Sequence, residues 1–243
     1  MADPALHIGT SGYSYKEWKG AFYPERLPAA RMLEFYSGQL GAVEINSTFY
    51  RLPSSKLLAG WKAQVPWSFR FAVKATRSIT HIKRLAGAES ELEALLRATA
   101  VLEQNLGVLL FQLPPFQRLD LPRLEAFVAQ LPEGTRAAFE FRHASWRTPE
   151  VRGLLERRAL ASVANDGDDS NPAETAADLE PTADYAYVRL RRARYRDDEI
   201  AAWSARLRSL PCRDVYVFFK HEDTAAGALW ARALQRLQAP GSS

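Results

Sequence analysis

The sequence predicts a single-domain (β/α)8 barrel of the TIM type, an α/β fold, over residues 6–238. Eight short apolar runs alternate with segments of helical periodicity, which indicates a parallel sheet covered by helices. The length of 243 residues is typical of such a barrel as one domain. We expect residues 1–5 and 239–243 to be frayed termini, since the last five are Ala-Pro-Gly-Ser-Ser.

The strands are predicted from apolar runs interleaved with polar residues, because successive side chains of a strand point to opposite faces. An open doubly wound sheet is the alternative for this order of elements. It would place a glycine-rich phosphate-binding turn after the first strand, and Gly-Thr-Ser-Gly-Tyr-Ser at 9–14 lacks the full dinucleotide fingerprint. The barrel is therefore favoured. Its strands are expected over residues 7–12, 43–50, 70–75, 107–114, 136–143, 161–166, 185–190 and 215–220.

The helices are predicted from apolar spacing and from residues that commonly begin a helix. Residues 28–40 carry apolar side chains at helical spacing. Ser90 and Glu93 form the pattern of a capping box, which predicts a long helix ending at Gly107. Residues 167–184 are expected to be a loop with only a short helix. The other predicted helix starts are Ser54 or Ser55, Asp120, Thr148, Asp197 and Asp223.

The composition is that of an ordinary globular domain with a mild excess of positive charge. The net charge of +4 slightly favours anionic small molecules, and nucleic acid is not favoured as a partner because the charge is diffuse. One cysteine, Cys212, cannot form an internal disulfide, as expected in a reducing compartment. No signal peptide and no apolar run of about 20 residues is visible, so we expect a cytoplasmic protein without membrane contact. The sequence leaves the oligomeric state open.

Polar side chains stand at the ends of most predicted strands, on the face opposite to their apolar neighbours. The carboxyl ends of the strands meet at one rim of a closed barrel, where enzymes of this fold bind their substrates. We therefore expect these side chains to converge on one site. The candidates are Glu44, Asn46, Lys74, Gln112, Glu140, Arg142, Asp166, Arg189 and Lys220.

Glu44 and Glu140 are the predicted acid–base residues, since burial and a nearby cation can tune the pKa of a carboxylate. An unreactive ion-pair network at the top of the barrel is the alternative interpretation. Lys74 is a third catalytic candidate, as a base or a Schiff-base lysine, although a charge clamp on a carboxylate or phosphate is the favoured role. Arg142, Arg189 and Lys220 are expected to hold the anionic part of the substrate.

The segment at 140–146, Glu-Phe-Arg-His-Ala-Ser-Trp, adds His143 as a catalytic proton shuttle. In the alternative interpretation, His143 caps a loop and Trp146 fills the core. Aromatic residues are expected to contribute to substrate binding at the mouth, although packing alone is the alternative for about half of them. Those assigned to the site are Tyr13, Trp18, Tyr50 and Trp146.

No metal site and no cofactor are predicted. The four histidines are scattered without ligand spacing, and the acidic loop at 165–171 lacks the ordered ligands of an EF-hand. Mg²⁺ bound by carboxylates stays open as an alternative.

Five segments in order carry a resemblance to a known family: residues 9–24, 43–53, 71–81, 109–115 and 140–146. Together they resemble the YecE-like family, domain of unknown function 72, over about residues 7–237. The resemblance implies a (β/α)8 barrel and no particular reaction. The residues of this chain that match the motifs of the family are Ser11, Tyr13, Trp18, Glu44, Asn46, Tyr50, Lys74, His81, Gln112, Glu140, Arg142, His143 and Trp146.

The chain departs from the family pattern after the seventh strand. Relatives commonly have Arg-Leu-His-Gly there, whereas this chain has Arg-Leu-Arg-Arg at 189–192. We expect Arg191 and Arg192 either to strengthen binding through side-chain charge or to accompany a changed ligand.

Two functions are consistent with these features, and a structural scaffold without a ligand is the third possibility. The first is an enzyme that uses carboxylate acid–base chemistry on a small anionic or sugar-like metabolite, as a hydrolase, lyase or isomerase. The second is a non-catalytic binding or regulatory barrel that recognises a nucleotide or single-stranded RNA. Because one fold supports many functions, the barrel itself cannot choose between them.

Overall fold

The computed structural model describes residues 3–167, 179–220 and 223–238 as a closed parallel barrel of eight strands. The strands pair in chain order, and β8 closes the barrel on β1. The predicted barrel is confirmed. The strands are β1 Ala5–Ser11, β2 Ala42–Ile45, β3 Arg70–Lys74, β4 Leu106–Gln112, β5 Ala137–Glu140, β6 Ala161–Asn165, β7 Tyr185–Leu190 and β8 Asp214–Phe219.

Two of the strands end three or more residues earlier than predicted, and the others end within two residues of the predicted position. Strand β2 ends at Ile45, and a 3₁₀ turn over Ser47–Phe49 follows; strand β5 ends at Glu140, and a 3₁₀ turn over Ala144–Trp146 follows. Asn46, Tyr50, Arg142 and His143 therefore lie on loops at the rim. At the other end, β1 begins at Ala5, one residue inside the predicted tail.

Seven α-helices lie in the described part of the chain: α1 Met32–Ser37, α2 Ser55–Lys62, α3 Glu89–Thr99, α4 Leu121–Val128, α5 Pro149–Arg157, α6 Asp197–Arg208 and α7 Ala226–Arg236. Side chains of Ser54, Asp120 and Thr148 accept a hydrogen bond from the first turn of α2, α4 and α5, so these predicted caps are confirmed. Most of the predicted 167–184 loop, and the predicted tail at 239–243, lie outside the described residues.

Two predicted helix starts are wrong. Helix α3 begins after Ala88 without a side-chain cap, and Ser90 lies inside its first turn, where its hydroxyl donates to the Glu91 carboxylate. A serine within the helix cannot offer its oxygen as an N-cap. Helix α7 follows Ala225, so Asp223 lies too far upstream to cap it.

The core has two parts, one between the sheet and the helices and one inside the barrel. The inside is filled unevenly, because alanines on β2, β3, β5 and β6 face four aromatic rings on β7 and β8. The aromatic residues are Tyr185, Tyr187, Tyr216 and Phe218. Gly107 is required where the Tyr216 ring passes β4, since a Cβ there would lie 2.6 Å from that ring.

An ion cluster lies at the amino-terminal end of the barrel. Asp214 accepts hydrogen bonds from Arg136 Nη2 at 2.6 Å and from His7 Nε2 at 3.0 Å. The Arg136 guanidinium also lies 4.6 Å from the centre of the Tyr185 ring, and Nη1 donates to the Tyr216 hydroxyl at 3.0 Å. These contacts join strands β1, β5, β7 and β8.

Within the described ranges, no helix combines the length and apolar composition that a membrane crossing requires.

Candidate functional site

A buried triad of charged residues joins three strands at the carboxyl end of the barrel. Arg189 on β7 donates from Nη2 to Glu44 Oε1 at 2.8 Å and from Nη1 to Glu140 Oε2 at 2.6 Å. All three side chains are at most 1% exposed. The guanidinium thus fixes the distance between two carboxylates that belong to opposite sides of the barrel.

Further cationic and neutral groups contact the same carboxylates, although Glu140 Oε1 accepts no hydrogen bond within the described residues. Ser11 Oγ donates to Glu44 Oε1 at 2.7 Å, and the Tyr187 hydroxyl donates to Glu44 Oε2 at 2.7 Å. Gln112 Nε2 donates to Glu140 Oε2 at 2.8 Å, and Arg191 Nη1 lies 3.3 Å from Glu140 Oε1. Charge-assisted hydrogen bonds of this kind are among the strongest in proteins.

Both carboxyl groups are held in the ionised form. Burial is the largest single effect and raises their pKa, but the charge of Arg189 and the other cations and donors around each group together outweigh it. Hydrogen bonds from Ser11 and Tyr187 assist at Glu44, whose pKa is lowered. At Glu140, the charges of Arg191 and Lys74 assist, and its pKa is lowered to about 2. Neither group therefore carries a proton at neutral pH.

Lys74 lies beside this triad at the end of β3. Its Nζ donates to Gln112 Oε1 at 2.8 Å and lies 4.6 Å from the centre of the Phe49 ring. Burial, followed by the charge of Arg189, lowers the pKa of Lys74 to about 8, although Glu44 and Glu140 act in the opposite direction. The side-chain amide of Gln112 thus accepts a hydrogen bond from the Lys74 amine and donates one to the Glu140 carboxylate.

A cavity of about 600 Å³ opens above the triad. Five of its lining side chains are cationic, and none of the described lining residues is acidic. The cations are Lys74, Arg142, Arg189, Arg191 and Lys220; the remaining lining residues are Tyr15, Asn46, Ser47, Phe49, Tyr50, His81 and Gln112. Glu44 and Glu140 lie below this surface.

Two of the uncharged lining groups have notable surroundings. The Asn46 Oδ1 atom is buried and has no hydrogen-bond partner in the described residues. The His81 ring packs edge-on against Phe49 with 4.8 Å between ring centres. Burial, together with the charges of Lys74, Arg142 and Arg77, lowers the pKa of His81 to about 4, so its imidazole is neutral at pH 7.

Residues 7–242 match the model of a family described as a protein of unknown function, DUF72. The chain belongs to the DUF72 family. It is 27% identical to a DUF72 family protein of Thermotoga maritima MSB8, whose crystal structure superimposes with a TM-score of 0.81 over 96% of this chain and 98% of that one. A DUF72 family protein of Enterococcus faecalis V583 shares the fold, with a TM-score of 0.77 at 20% identity over 98% of both chains.

A curated relative of this DUF72 chain is the UPF0759 protein YecE of Escherichia coli K12, 30% identical over 139 residues. The match covers 57% of this chain and 48% of the length of YecE. The family and the fold predicted from the sequence are confirmed by these comparisons, which indicate no substrate or reaction.

The structure brings most of the predicted site residues of this DUF72 chain to one place. Glu44, Glu140 and Arg189 form the buried triad. The predicted residues that line the cavity are Asn46, Tyr50, Lys74, Gln112, Arg142, Arg189 and Lys220.

Two tryptophans and a histidine predicted for the site lie elsewhere. Trp18 is fully buried and packs against Phe22 and Tyr23. Trp146 stacks on Phe141, and its indole Nε1 donates to the Gln117 carbonyl at 2.7 Å. Both rings are buried in the core and neither lines the cavity above the triad.

His143 caps the short helix that follows β5. Its Nδ1 accepts from the Ser145 amide at 3.1 Å. The residue does not line the cavity, and this arrangement matches the alternative interpretation of the sequence, in which His143 caps a loop.

Tyr13 and Asp166 also lie outside the cavity lining. Tyr13 packs against the core and against Tyr36. Asp166 accepts hydrogen bonds from the Arg191 amide at 2.8 Å and from the Tyr195 hydroxyl, so it fixes the loop after β7. Burial raises its pKa despite the Tyr195 hydrogen bond. Through the hydrogen bond from the Arg191 amide, Asp166 fixes the backbone of a residue that lines the cavity.

The assignment of site residues from the sequence omitted several groups. Tyr187 precedes Arg189 by two residues in β7, and the period of two indicates that both side chains face the inside of the barrel. Arg191 extends from the loop into the cavity. Ser11 and His81 match the family motifs, and that match could have placed them in the site. No local pattern distinguishes Arg191 from the neighbouring arginines.

Within the described residues, no group of three or more His, Cys, Asp or Glu side chains is placed to hold a metal ion.

Proposed function

We propose that the cavity binds a small anionic metabolite and that the protein is an enzyme whose chemistry takes place beside Lys74. The observation that carries this proposal is the charge of the lining, with five cationic and no acidic side chains among the described residues. Clustered cations in a concave, partly dry site favour anions over neutral ligands. A volume of about 600 Å³ is in the range of small-molecule sites.

The arginines favour a carboxylate or a phosphate as the anionic group. A guanidinium presents a planar fork of donors that matches these oxyanions. Arg142 and Arg191 come from loops after β5 and β7, and Lys220 follows β8. A ligand held between them would lie over the axis of the barrel, within reach of Lys74 and Gln112.

The buried carboxylates suit a positioning role better than the acid–base role that the sequence favours. A general acid must hold a proton at working pH, whereas Arg189 lowers the pKa of both groups. Their oxygens already accept from Ser11, Tyr187, Gln112 and Arg189. We infer that they hold Arg189 and Gln112 in place.

Two uncharged groups favour a ligand that also carries hydroxyl groups. The buried Oδ1 of Asn46 is an acceptor without a protein partner in the described residues, and a ligand hydroxyl would satisfy it. The His81 imidazole, which its lowered pKa keeps neutral at pH 7, offers a ring nitrogen for a hydrogen bond to the ligand. Both lie on the cavity wall.

The test is a thermal-shift screen against inorganic phosphate, sugar phosphates and small carboxylates. A ligand at about 100 times its dissociation constant stabilises the fold by about 2.7 kcal/mol, or roughly 5–10 °C in Tm. We expect Arg142→Ala to reduce the shift strongly. Arg206→Ala, which removes an exposed arginine on α6, is the matched control and should leave the shift unchanged. Equal loss in both variants, or no shift with any anion, would contradict the proposal.

A binding barrel for a nucleotide or single-stranded RNA is the second candidate. It is favoured by large apolar side chains on the loops after β2, β3 and β4: Tyr50 is 77% exposed, Ile82 61% and Phe116 67%. Exposed rings beside cations are a common platform for base stacking. Shifts that occur only with nucleotides or short RNA, and that vanish as salt rises, would select this function.

A further inference from the structure

Lys74 differs from Lys62 and Lys83 in what holds its amine. The sequence contains seven lysines. Lys62 and Lys83 each donate to a carboxylate at 2.8 Å. Lys74 Nζ has no carboxylate within 4 Å in the described residues; its hydrogen-bond partner is the neutral amide oxygen of Gln112. The amine is thus held in place without being tied up in an ion pair.

The position of Lys74 gives its amine access to a ligand. It ends β3 on the wall of the cavity, above the triad, with the Phe49 ring on one side. Burial and the charge of Arg189 lower its pKa to about 8, so at neutral pH about a tenth of the molecules carry a free amine. An ordinary lysine, with a pKa of about 10.4, would have roughly 10²-fold less.

We propose that Lys74 forms a covalent imine with a small aldehyde or ketone that carries a carboxylate or a phosphate. The inference rests on the proposed function, because the cations of the cavity must hold the anionic group. Arg142, Arg191 and Lys220 line the same cavity as Lys74, so a short ligand whose anionic group they held would present its carbonyl group to the Lys74 amine. The proposal extends the function by naming the reactive group of the substrate.

The step balances without a further reactant. The Lys74 ammonium loses a proton, its nitrogen attacks the carbonyl carbon, and the new C–N bond gives a carbinolamine. The carbonyl oxygen gains protons and leaves as water, and the nitrogen keeps one hydrogen as a protonated imine. The sum is ammonium plus carbonyl to iminium plus water, with no oxidation. Protons leave the amine and reach the departing oxygen through water in the cavity, so the step needs no further protein group.

The test is reductive trapping with borohydride, which delivers hydride to the iminium carbon and makes the adduct permanent. The protein is incubated at pH 7 with pyruvate or dihydroxyacetone phosphate, reduced, digested and mapped by mass spectrometry. We expect the adduct on Lys74 to exceed that on Lys83 by about tenfold or more. Lys83→Met is the matched control and should leave the yield unchanged, whereas Lys74→Met should abolish it. Adducts distributed according to surface exposure, with none enriched on Lys74, would overturn the proposal.

The reduced analogues separate this inference from the proposed function. Lactate and glycerol 3-phosphate carry the same anionic groups without a carbonyl. If these two analogues raise Tm while pyruvate and dihydroxyacetone phosphate leave no adduct on Lys74, the anion site stands and the imine is rejected. If neither a shift nor an adduct occurs with any of the four compounds, both proposals fail. The mapping uses the wild-type chain, so poor folding of Lys74→Met would not prevent a decision.

Discussion

The two ends of the barrel contain the same kinds of side chain, arranged with opposite consequences. At the amino-terminal end, Asp214 is held between His7 and Arg136, and Arg136 lies against the Tyr185 ring. A depression of about 820 Å³ lies beside them, and its lining mixes both signs of charge, with Glu133 and Asp184 among its arginines. Arg213 Nη2 lies 2.9 Å from Asp184 Oδ2. These charges hold strands together.

At the carboxyl end, the triad also joins strands, but here the charges lie beside an open cavity. Among the described residues that line this cavity, five are cationic and none is acidic. A buried ion network is therefore not in itself a sign of function. What distinguishes the carboxyl end is a wall of one sign of charge beside a space that a ligand would fill, at the end of the barrel where enzymes of this fold place their sites.

Replacing Arg189 should have the largest effect on stability. Arg189→Met leaves Glu44 and Glu140 buried without their shared partner, and an uncompensated buried charge costs about 3–5 kcal/mol. Since a typical domain is stable by about 5–15 kcal/mol, we expect a strongly lowered midpoint in urea or failure to fold.

The control for this variant removes the charges together. The triple variant Glu44→Gln, Glu140→Gln and Arg189→Met should recover much of the lost stability, because no buried charge is then left unpaired. An Arg189→Met protein as stable as the wild type would mean that the triad is not buried as described.

The fold was predictable because its signal is repeated. Eight apolar runs in alternation with helical segments leave few other architectures, and an error at one cap does not change the result. Ends of elements were less predictable: the apolar run at 43–50 reads as one strand, yet Asn46 begins a turn. Local pattern does not show where the neighbouring strand stops supplying hydrogen bonds.

The site was predictable where a strand fixes the direction of a side chain. Glu44, Lys74, Gln112, Glu140 and Arg189 all follow from a period of two in a closed sheet. Residues on loops were less predictable: Asn46, Tyr50 and Arg142 do line the cavity, but Trp18 and Trp146 pack into the core. Burial of a ring and the path of a loop depend on tertiary contacts that no short segment encodes.

At the amino-terminal end, Asp214→Asn should weaken the fold without changing the anion site. It removes the charge that His7 and Arg136 share, and a hydrogen bond to a charged group contributes about 1.5–3 kcal/mol. We expect a loss of about 2–3 kcal/mol by urea denaturation and an unchanged thermal shift with anions. An altered anion response would show that the two ends are coupled.

The smallest effect concerns the pH dependence that Lys74 gives to the carboxyl end. Its pKa is lowered from the ordinary value of 10.5 to about 8 in the folded chain, so between these pH values the unfolded chain binds more protons. The contribution of Lys74 to the free energy of unfolding therefore rises with pH between about 8 and 10.5. Relative to Lys74→Met, the wild type should gain about 1–2 kcal/mol between pH 8 and pH 10 in urea titrations. Parallel curves for the two proteins would show that the amine is solvated. Lys74 would then have an ordinary pKa, and the amine at the carboxyl end would be no more reactive than a surface lysine.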